Sequence, residues 1–364
     1  MRVLIAPDSF GGTLTAVEAA EAIASGWRRR APADELVLAP MSAGGAGFVD
    51  VVHANVGGDL VGVVVRSARG VDAEPMPATV LVVDDIAYVE CAQVSAGGSR
   101  GDAETATSYG VGQLIDAALA AGARTVVVGL ADFFVGDGGA GVLAALGAAS
   151  TPSDALLGGP RALATLDVVE LVAVHERVAG AAIVGARDLD IPLLGLRGTT
   201  NLTGAARGLP ADRLQAVDAQ LERLADATDR RLAGAQGAGA GGGVGFAILL
   251  AGGTCVDGVS VTADAIGLAT LARSVDLVVT GEGSFDFESR SGTVPGGVAA
   301  VAGQAVRPCI ALAGRVLVGA RETRALGVES AYAVDDLVGV DEAANSPAES
   351  LAALAERVAR TWSR

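Results

Sequence analysis

The 364-residue chain contains no lysine: all 26 of its basic residues are arginine. Schiff-base chemistry and lysine contacts to phosphate are therefore excluded. Its two histidines, His53 and His175, stand alone, so neither a histidine zinc site nor a Ser-His-Asp triad is expected. Cys91, Cys255 and Cys309 are far apart without CxxC spacing and read as buried, reduced thiols. Aromatic residues make up only 3% of the chain. No apolar run approaches the roughly 18 residues a membrane span needs, and no membrane partner is expected. The opening MRVLIAPDSF lacks the long apolar segment of a secretory leader and reads as a first strand, which gives the expectation of a cytoplasmic protein. Basic charge is also in deficit, 26 groups against 42 acidic ones, for a net charge of −16. Nucleic acid, whose binding rests on phosphate neutralisation, is excluded on that ground.

What is present is 51% hydrophobic residue, dominated by Ala, Val and Leu, and 51 glycines. Short β-branched runs alternate with helical patterns along the chain, which argues an α/β fold with parallel strands. Strands are expected over residues 2–6, 36–39, 60–65, 79–83, 87–89, 126–130, 181–184, 275–280, 309–313 and 330–334. Helices are expected from about 16 to 30 and over 108–121, 140–146, 211–233 and 347–363. Thr13 or Thr15 caps the first of these, and Glu18 stands three residues beyond Thr15 as a capping-box partner. The centre of the pattern is TVVVGLADFFVGDGGAGVLAALG, a strand feeding a glycine-rich turn and a helix, where α/β proteins hold ligands. The stretch GAQGAGAGGGVG reads either as a linker or as a tight turn packed against a helix start.

Carboxylates recur where the expected strands end: Asp8, Asp137, Asp188, Asp190, Glu282 and Asp286. One such residue is ordinarily a helix cap, but six at comparable positions suggest a shared site for acid–base chemistry or a cation.

The residues also carry a resemblance over essentially the whole length. MRVLIAPDSFGGTLTA resembles the opening of the bacterial class I glycerate kinases, which reads like APDSFKGSLSA. PMSAGGAGF, TATSYGVGQLI, GLADFFVGDGGAGVLAALG, ARDLDIPLLG, GAGAGGGVGF and TGEGSFDFESRSGTVPGGVA follow in the family's order. The resemblance implies a Rossmann-like parallel-sheet domain, residues 1–70 plus 265–364, with a second α/β domain, 71–264, inserted into it. It also implies a cleft between them in which the family phosphorylates D-glycerate with ATP.

Departures from the family pattern share a direction. Gly11, Ser284 and Thr293 stand where the family has Lys, Arg and Lys. Ala43, Ala46 and Phe48 replace its Asp, Glu and Thr, and Ile191 replaces an Asn. Ala206-Arg207, at a family Gln-Lys, keeps the charge. Losing one cation that stabilises phosphoryl transfer costs on the order of 10³–10⁵ in rate. Five of the seven phenylalanines, Phe48, Phe133, Phe134, Phe285 and Phe287, fall inside altered motifs, while Phe10 stands in a matching one.

These departures lead to the expectation of a chain that has given up phosphoryl transfer. Its cleft would hold a small apolar molecule against Phe10, Phe48, Phe133, Phe134, Phe285, Phe287 and Ile191, with Arg187 and Arg290 beside them. The six carboxylates, their pKa values raised by apolar neighbours, would supply cyclase, isomerase or lyase chemistry in specialised metabolism, with no cofactor and no bound metal. The alternative is a working glycerate or hydroxy-acid kinase using ATP and Mg²⁺, with Arg100, Arg187, Arg207 or Arg290 in place of the missing cations. A third reading is a non-catalytic protein that binds a partner, and a homodimer stays open.

Overall fold

The structure, a computed structural model, describes every residue except 71, 96–102, 288, 290–291 and 364. The strands in chain order are β1 (Arg2–Ile5), β2 (Glu35–Leu38), β3 (Asp59–Arg66), β4 (Pro75–Val83), β5 (Ile86–Glu90), β6 (Thr125–Gly129) and β7 (Ala149–Thr151). They continue with β8 (Val168–Glu170), β9 (Ala182–Arg187), β10 (Thr254–Asp257), β11 (Leu277–Phe285), β12 (Cys309–Val316) and β13 (Ser330–Ala333). The mixed α/β class expected from the alternating pattern is what the chain adopts. No helix among the described residues is long and apolar enough to cross a membrane.

The chain divides into two compact units. The first comprises Met1–Ala43, Asp50–Gly57 and Val259–Arg364; the second comprises Gly44–Val49 and Gly58–Gly258. β3 thus belongs to the second unit, where the sequence reading set the domain limits at residues 70 and 264.

The first unit is built on a parallel sheet in the order β13-β12-β11-β1-β2. Val3, Leu4 and Ile5 are wholly buried because helices cover both faces, which is why β1 is apolar without alternation. On one face Val3, Ile5, Leu277 and Leu312 meet Ile23 and Trp27 of the helix Ala16–Arg30 and Leu351 and Leu354 of the helix Pro347–Trp362. The first helix starts as its sequence dictates: Thr15 Oγ1 accepts from Glu18 N at 3.2 Å, and Glu18 Oε2 accepts from Thr15 N at 2.8 Å. The two helices meet at Gly26, where a Cβ would lie 1.9 Å from the carbonyl oxygen of Ala352. Only a residue without a side chain fits there.

The second unit carries a six-stranded sheet in the order β10-β9-β6-β5-β4-β3. β5, β6, β9 and β10 are parallel, while β3, β4 and β5 form the antiparallel meander read from the sequence. β7 and β8 form a separate small hairpin.

Three local expectations change. β11 runs on to Phe285 instead of stopping at 280, because Glu282, Ser284 and Phe285 pair with Ala313, Arg315 and Val316 of β12. Ladder pairing there overrides the turn-like composition of Gly-Glu-Gly-Ser. The charged stretch 211–233 is a short 3₁₀ turn, Ala211–Arg213, followed by the helix Leu214–Asp226. The glycine-rich stretch is a tight turn: Gly241, Gly242 and Gly243 all have positive φ, and the helix Val244–Leu250 begins directly after them.

Candidate functional site

In the first unit β1 connects to β2 on one side of the sheet and β11 connects to β12 on the other. The switch point between β1 and β11 leaves a crevice beyond their carboxyl ends, the usual ligand position in an open parallel sheet. A cavity of about 490 Å³ lies there, lined among others by Asp8, Phe10, Thr13, Glu282, Arg315 and Asp335. The main chains are joined at its floor by Asp8 N donating to the carbonyl oxygen of Gly281 at 2.8 Å. Ser289 Oγ donates to Glu282 Oε1 at 2.5 Å and accepts from Asp286 N at 3.0 Å. Three of the six expected carboxylates, Asp8, Glu282 and Asp286, are therefore neighbours.

Glu282 is pushed up to about 7, first by burial and then by the charges of Asp8 and Asp286, against the hydrogen bond from Ser289. A raised carboxyl stabilises the fold only while protonated. Its contribution is whole below the ordinary value of 4.5 and is lost as the pH rises through about 7. We expect the wild type to lose about 2–3 kcal/mol between pH 4.5 and 7.5 relative to Glu282→Gln. Urea unfolding across that range checks this; parallel curves for the two proteins would reject the assignment.

In the second unit Asp137 is fully buried and anchors two helix starts. Its Oδ2 accepts from Ser108 N at 2.8 Å, Ser108 Oγ at 2.9 Å and Gly141 N at 3.1 Å, and its Oδ1 accepts from Gly139 N at 2.9 Å. Ser108 Oγ in turn accepts from Val142 N at 3.1 Å. Burial pushes the Asp137 carboxyl up, and these donors pull it back toward the ionised form. The glycine-rich turn locks onto the same segment. Gly138 N donates to the Gly242 carbonyl at 3.0 Å, and a Cβ on Gly242 would lie 1.8 Å from the Val135 carbonyl oxygen.

Asp188 follows β9 directly and accepts from Leu189 N at 2.8 Å. Burial raises its pKa with help from the charge of Asp132, while main-chain amides and Arg207 oppose them. Asp132 holds a left-handed backbone, φ +55°, rare outside glycine, and its Oδ2 accepts from Ala46 N at 3.0 Å. Arg207 is buried, with Nη1 donating to Thr199 Oγ1 at 3.1 Å. Burial lowers its pKa to about 10 against the pull of Asp137 and Asp188, so it stays charged at neutral pH. Asp190 is a loop tie, accepting from Gly237 N at 3.0 Å and Gln236 Nε2 at 3.3 Å and pairing with Arg187 Nη2 at 3.5 Å. Ile191 is half-buried, and its carbonyl accepts from Gly239 N at 2.9 Å.

Most of the phenylalanines are packed within their own unit. Phe48 is wholly buried, edge-on to Tyr88 with ring centroids 5.9 Å apart. Phe133 lies in the core of the second unit, while Phe10 and Phe285 lie in two core layers of the first. Phe134 and Phe287 are exposed. Four of the six thus serve as core filling, and the cause is volume: in a chain poor in aromatics each fills space within its own unit. Arg290, and with it Arg100, lies outside the described residues.

Sequence reasoning missed Asp132, Ser108 and Thr199. Ser108 immediately precedes the helix Tyr109–Ala120 and so looks like an ordinary N-cap, yet its hydroxyl serves Asp137, 29 residues on.

Parallel sheets with polar groups gathered beyond their strand ends define an α/β protein with the ligand-site architecture of open sheets. The particular family is given by comparison. The model of the glycerate kinase family matches residues 3–363. An uncharacterised protein of Mycobacterium tuberculosis (strain CDC 1551 / Oshkosh) is 36% identical over 99% of this chain and 91% of its own length. The glycerate kinase of Bacillus subtilis (strain 168) is 30% identical over 99% of this chain and 96% of its own. A crystal structure assigned to putative glycerate kinase 2 of Salmonella typhimurium LT2 superposes with a TM-score of 0.82 at 29% identity, covering 100% of this chain and 98% of that one. The chain belongs to the glycerate kinase family, an enzyme family.

These findings correct the expectation of a repurposed cyclase, isomerase or lyase holding an apolar molecule. The relatives that carry a functional name are named glycerate kinases and match this chain over nearly its whole length. Of the six phenylalanines on which that expectation rested, Phe10, Phe48, Phe133 and Phe285 are buried core residues.

Proposed function

We propose that this protein is an ATP-dependent kinase acting on glycerate or a closely related hydroxy acid. The observation that carries the reading is the end-to-end correspondence with a named glycerate kinase, 99% of this chain against 96% of that one. The buried charge of Arg207 supports it, because an anionic hydroxy acid requires a cation to hold it.

In this reading the substrate hydroxyl attacks the γ-phosphorus of ATP, the bond to the bridging oxygen breaks, and ADP leaves. Asp188 receives the hydroxyl proton. It is the better placed carboxylate because Asp137 and Asp190 spend their oxygens on donors from distant segments, whereas Asp188 accepts only from main-chain amides at its own turn. The oxygen-only donor set of Asp8, Glu282 and Asp286 suits Mg²⁺, which typically takes one or two carboxylates and completes its shell with phosphate and water. Among the described residues no group of three His, Cys, Asp or Glu side chains is arranged to hold a metal ion. A cytoplasmic location, where ATP is, belongs to the same proposal.

The test is ADP release by the full chain with Mg²⁺, ATP and D-glycerate, measured by a coupled assay and by ³¹P spectra of the product. Turnover that needs all three components is the expected result. Absence of turnover with D-glycerate and with other small 2- and 3-hydroxy acids would overturn the proposal.

A further inference from the structure

We propose that Arg207 anchors the carboxylate of the hydroxy-acid substrate, with Asp188 and Asp132 accepting hydrogen bonds from its hydroxyls. This rests on the kinase reading and names the group within the second unit that selects the acid.

Arg207 is only 7% exposed, and arginine is seldom buried without a paired anion. Among the described residues it makes a single side-chain hydrogen bond, to Thr199, and no carboxylate lies within ion-pair distance. Most of the five donors of its guanidinium are left unused by the protein. Main chain packs closely against the group. A Cβ on Gly136 would sit 3.1 Å from Nη1, and one on Gly242 would sit 3.1 Å from Cζ. Glycine at both positions lets the main chain pack against the guanidinium, which fixes its position while its other donors stay unused.

The surrounding charge selects what that ligand is. The charges of Arg207 and Asp132 both act on Asp188, and those of Asp137 and Asp188 on Arg207, so the one cation lies among carboxylates. A triphosphate would meet net repulsion there. A monocarboxylate carrying hydroxyls matches the arrangement: its anion faces the arginine fork, and its hydroxyl protons face the aspartates. Asp137, although near, has its oxygens committed to Ser108, Gly139 and Gly141 and competes for neither.

The test is calorimetric titration of the nucleotide-free full chain, wild type and Arg207→Gln, with D-glycerate, glyceramide, glycerol and inorganic phosphate. The wild type is expected to bind D-glycerate and to reject glyceramide and glycerol. Arg207→Gln is expected to weaken D-glycerate about 10–100-fold. In turnover the same variant raises KM for the acid by that factor and leaves KM for ATP unchanged. Arg207→Lys, which keeps the charge but loses the fork, falls between them. Should Arg207→Gln fail to fold, the wild-type preference for glycerate over glyceramide and the Arg207→Lys value still decide.

Phosphate binding as tightly as glycerate and displacing it would overturn the inference in favour of a phosphate site. Active wild type with an unchanged KM for the acid in Arg207→Gln would overturn it while the kinase reading stands. Arg207-dependent binding of glycerate without turnover would uphold it while the kinase reading falls. No binding of glycerate by the wild type would reject it.

Discussion

Asp188→Asn is expected to lower kcat for phosphoryl transfer to the hydroxy acid by about 10²–10⁴, the usual contribution of a positioned general base. Stability should scarcely change, because the side chain gives up only local main-chain contacts, chiefly the hydrogen bond from Leu189 N at 2.8 Å. The expectation has a physical basis in the neighbourhood of the group. Burial and the charge of Asp132 hold the Asp188 carboxyl above the usual range, which makes it a stronger base than an exposed aspartate. Arg207, on the other side, keeps part of that shift in check. Steady-state kinetics with varied acid and fixed Mg²⁺–ATP separates kcat from KM. If turnover survives within a factor of ten and the unfolding midpoint is unchanged, the proton goes elsewhere.

The second large effect concerns folding. Asp137→Ala is expected to destabilise the unit of Gly44–Val49 and Gly58–Gly258 by about 3–5 kcal/mol. The substitution strands four buried donors: the amides of Ser108, Gly139 and Gly141 and the Ser108 hydroxyl. Each buried donor left unmade costs on the order of 1–3 kcal/mol, and water entering the vacated space recovers part of the sum. Asp137→Asn retains one acceptor oxygen and should fall between alanine and wild type. Urea unfolding, with limited proteolysis to report which unit opens first, measures the effect. A loss below about 1 kcal/mol for Asp137→Ala would show that the carboxylate is not an anchor and would return it to the groups free for chemistry.

Asp137 and Asp188 also show where residue type ceases to inform. In the sequence both are aspartates near the end of an apolar run, and both read equally as acid–base groups. Their difference lies in partners brought from elsewhere in the chain. Ser108, 29 residues away, closes around Asp137, whereas Arg207 comes near Asp188 from beyond a short helix, Thr199–Thr203. Glu282 has the same history. Its approach to Asp8 follows from β11 lying beside β1, strands separated by more than 270 residues.

Features that depend on near neighbours were readable before any fold was known. The Thr15–Glu18 capping box spans one helical turn, so its two hydrogen bonds were legible as spacing. The apolar runs of β1, β6 and β12 were legible because a strand buried on both faces must be apolar throughout. Family membership was legible because ordered motifs survive as strings. Four features waited on the folded chain: which phenylalanines are core, that β11 continues through Gly281–Ser284, that Ala240–Gly243 is a packed turn, and that Arg207 is a buried cation with donors to spare. Each of these is set by strands and loops far apart in sequence that come into contact in the fold, where burial and pairing energies outweigh local preference.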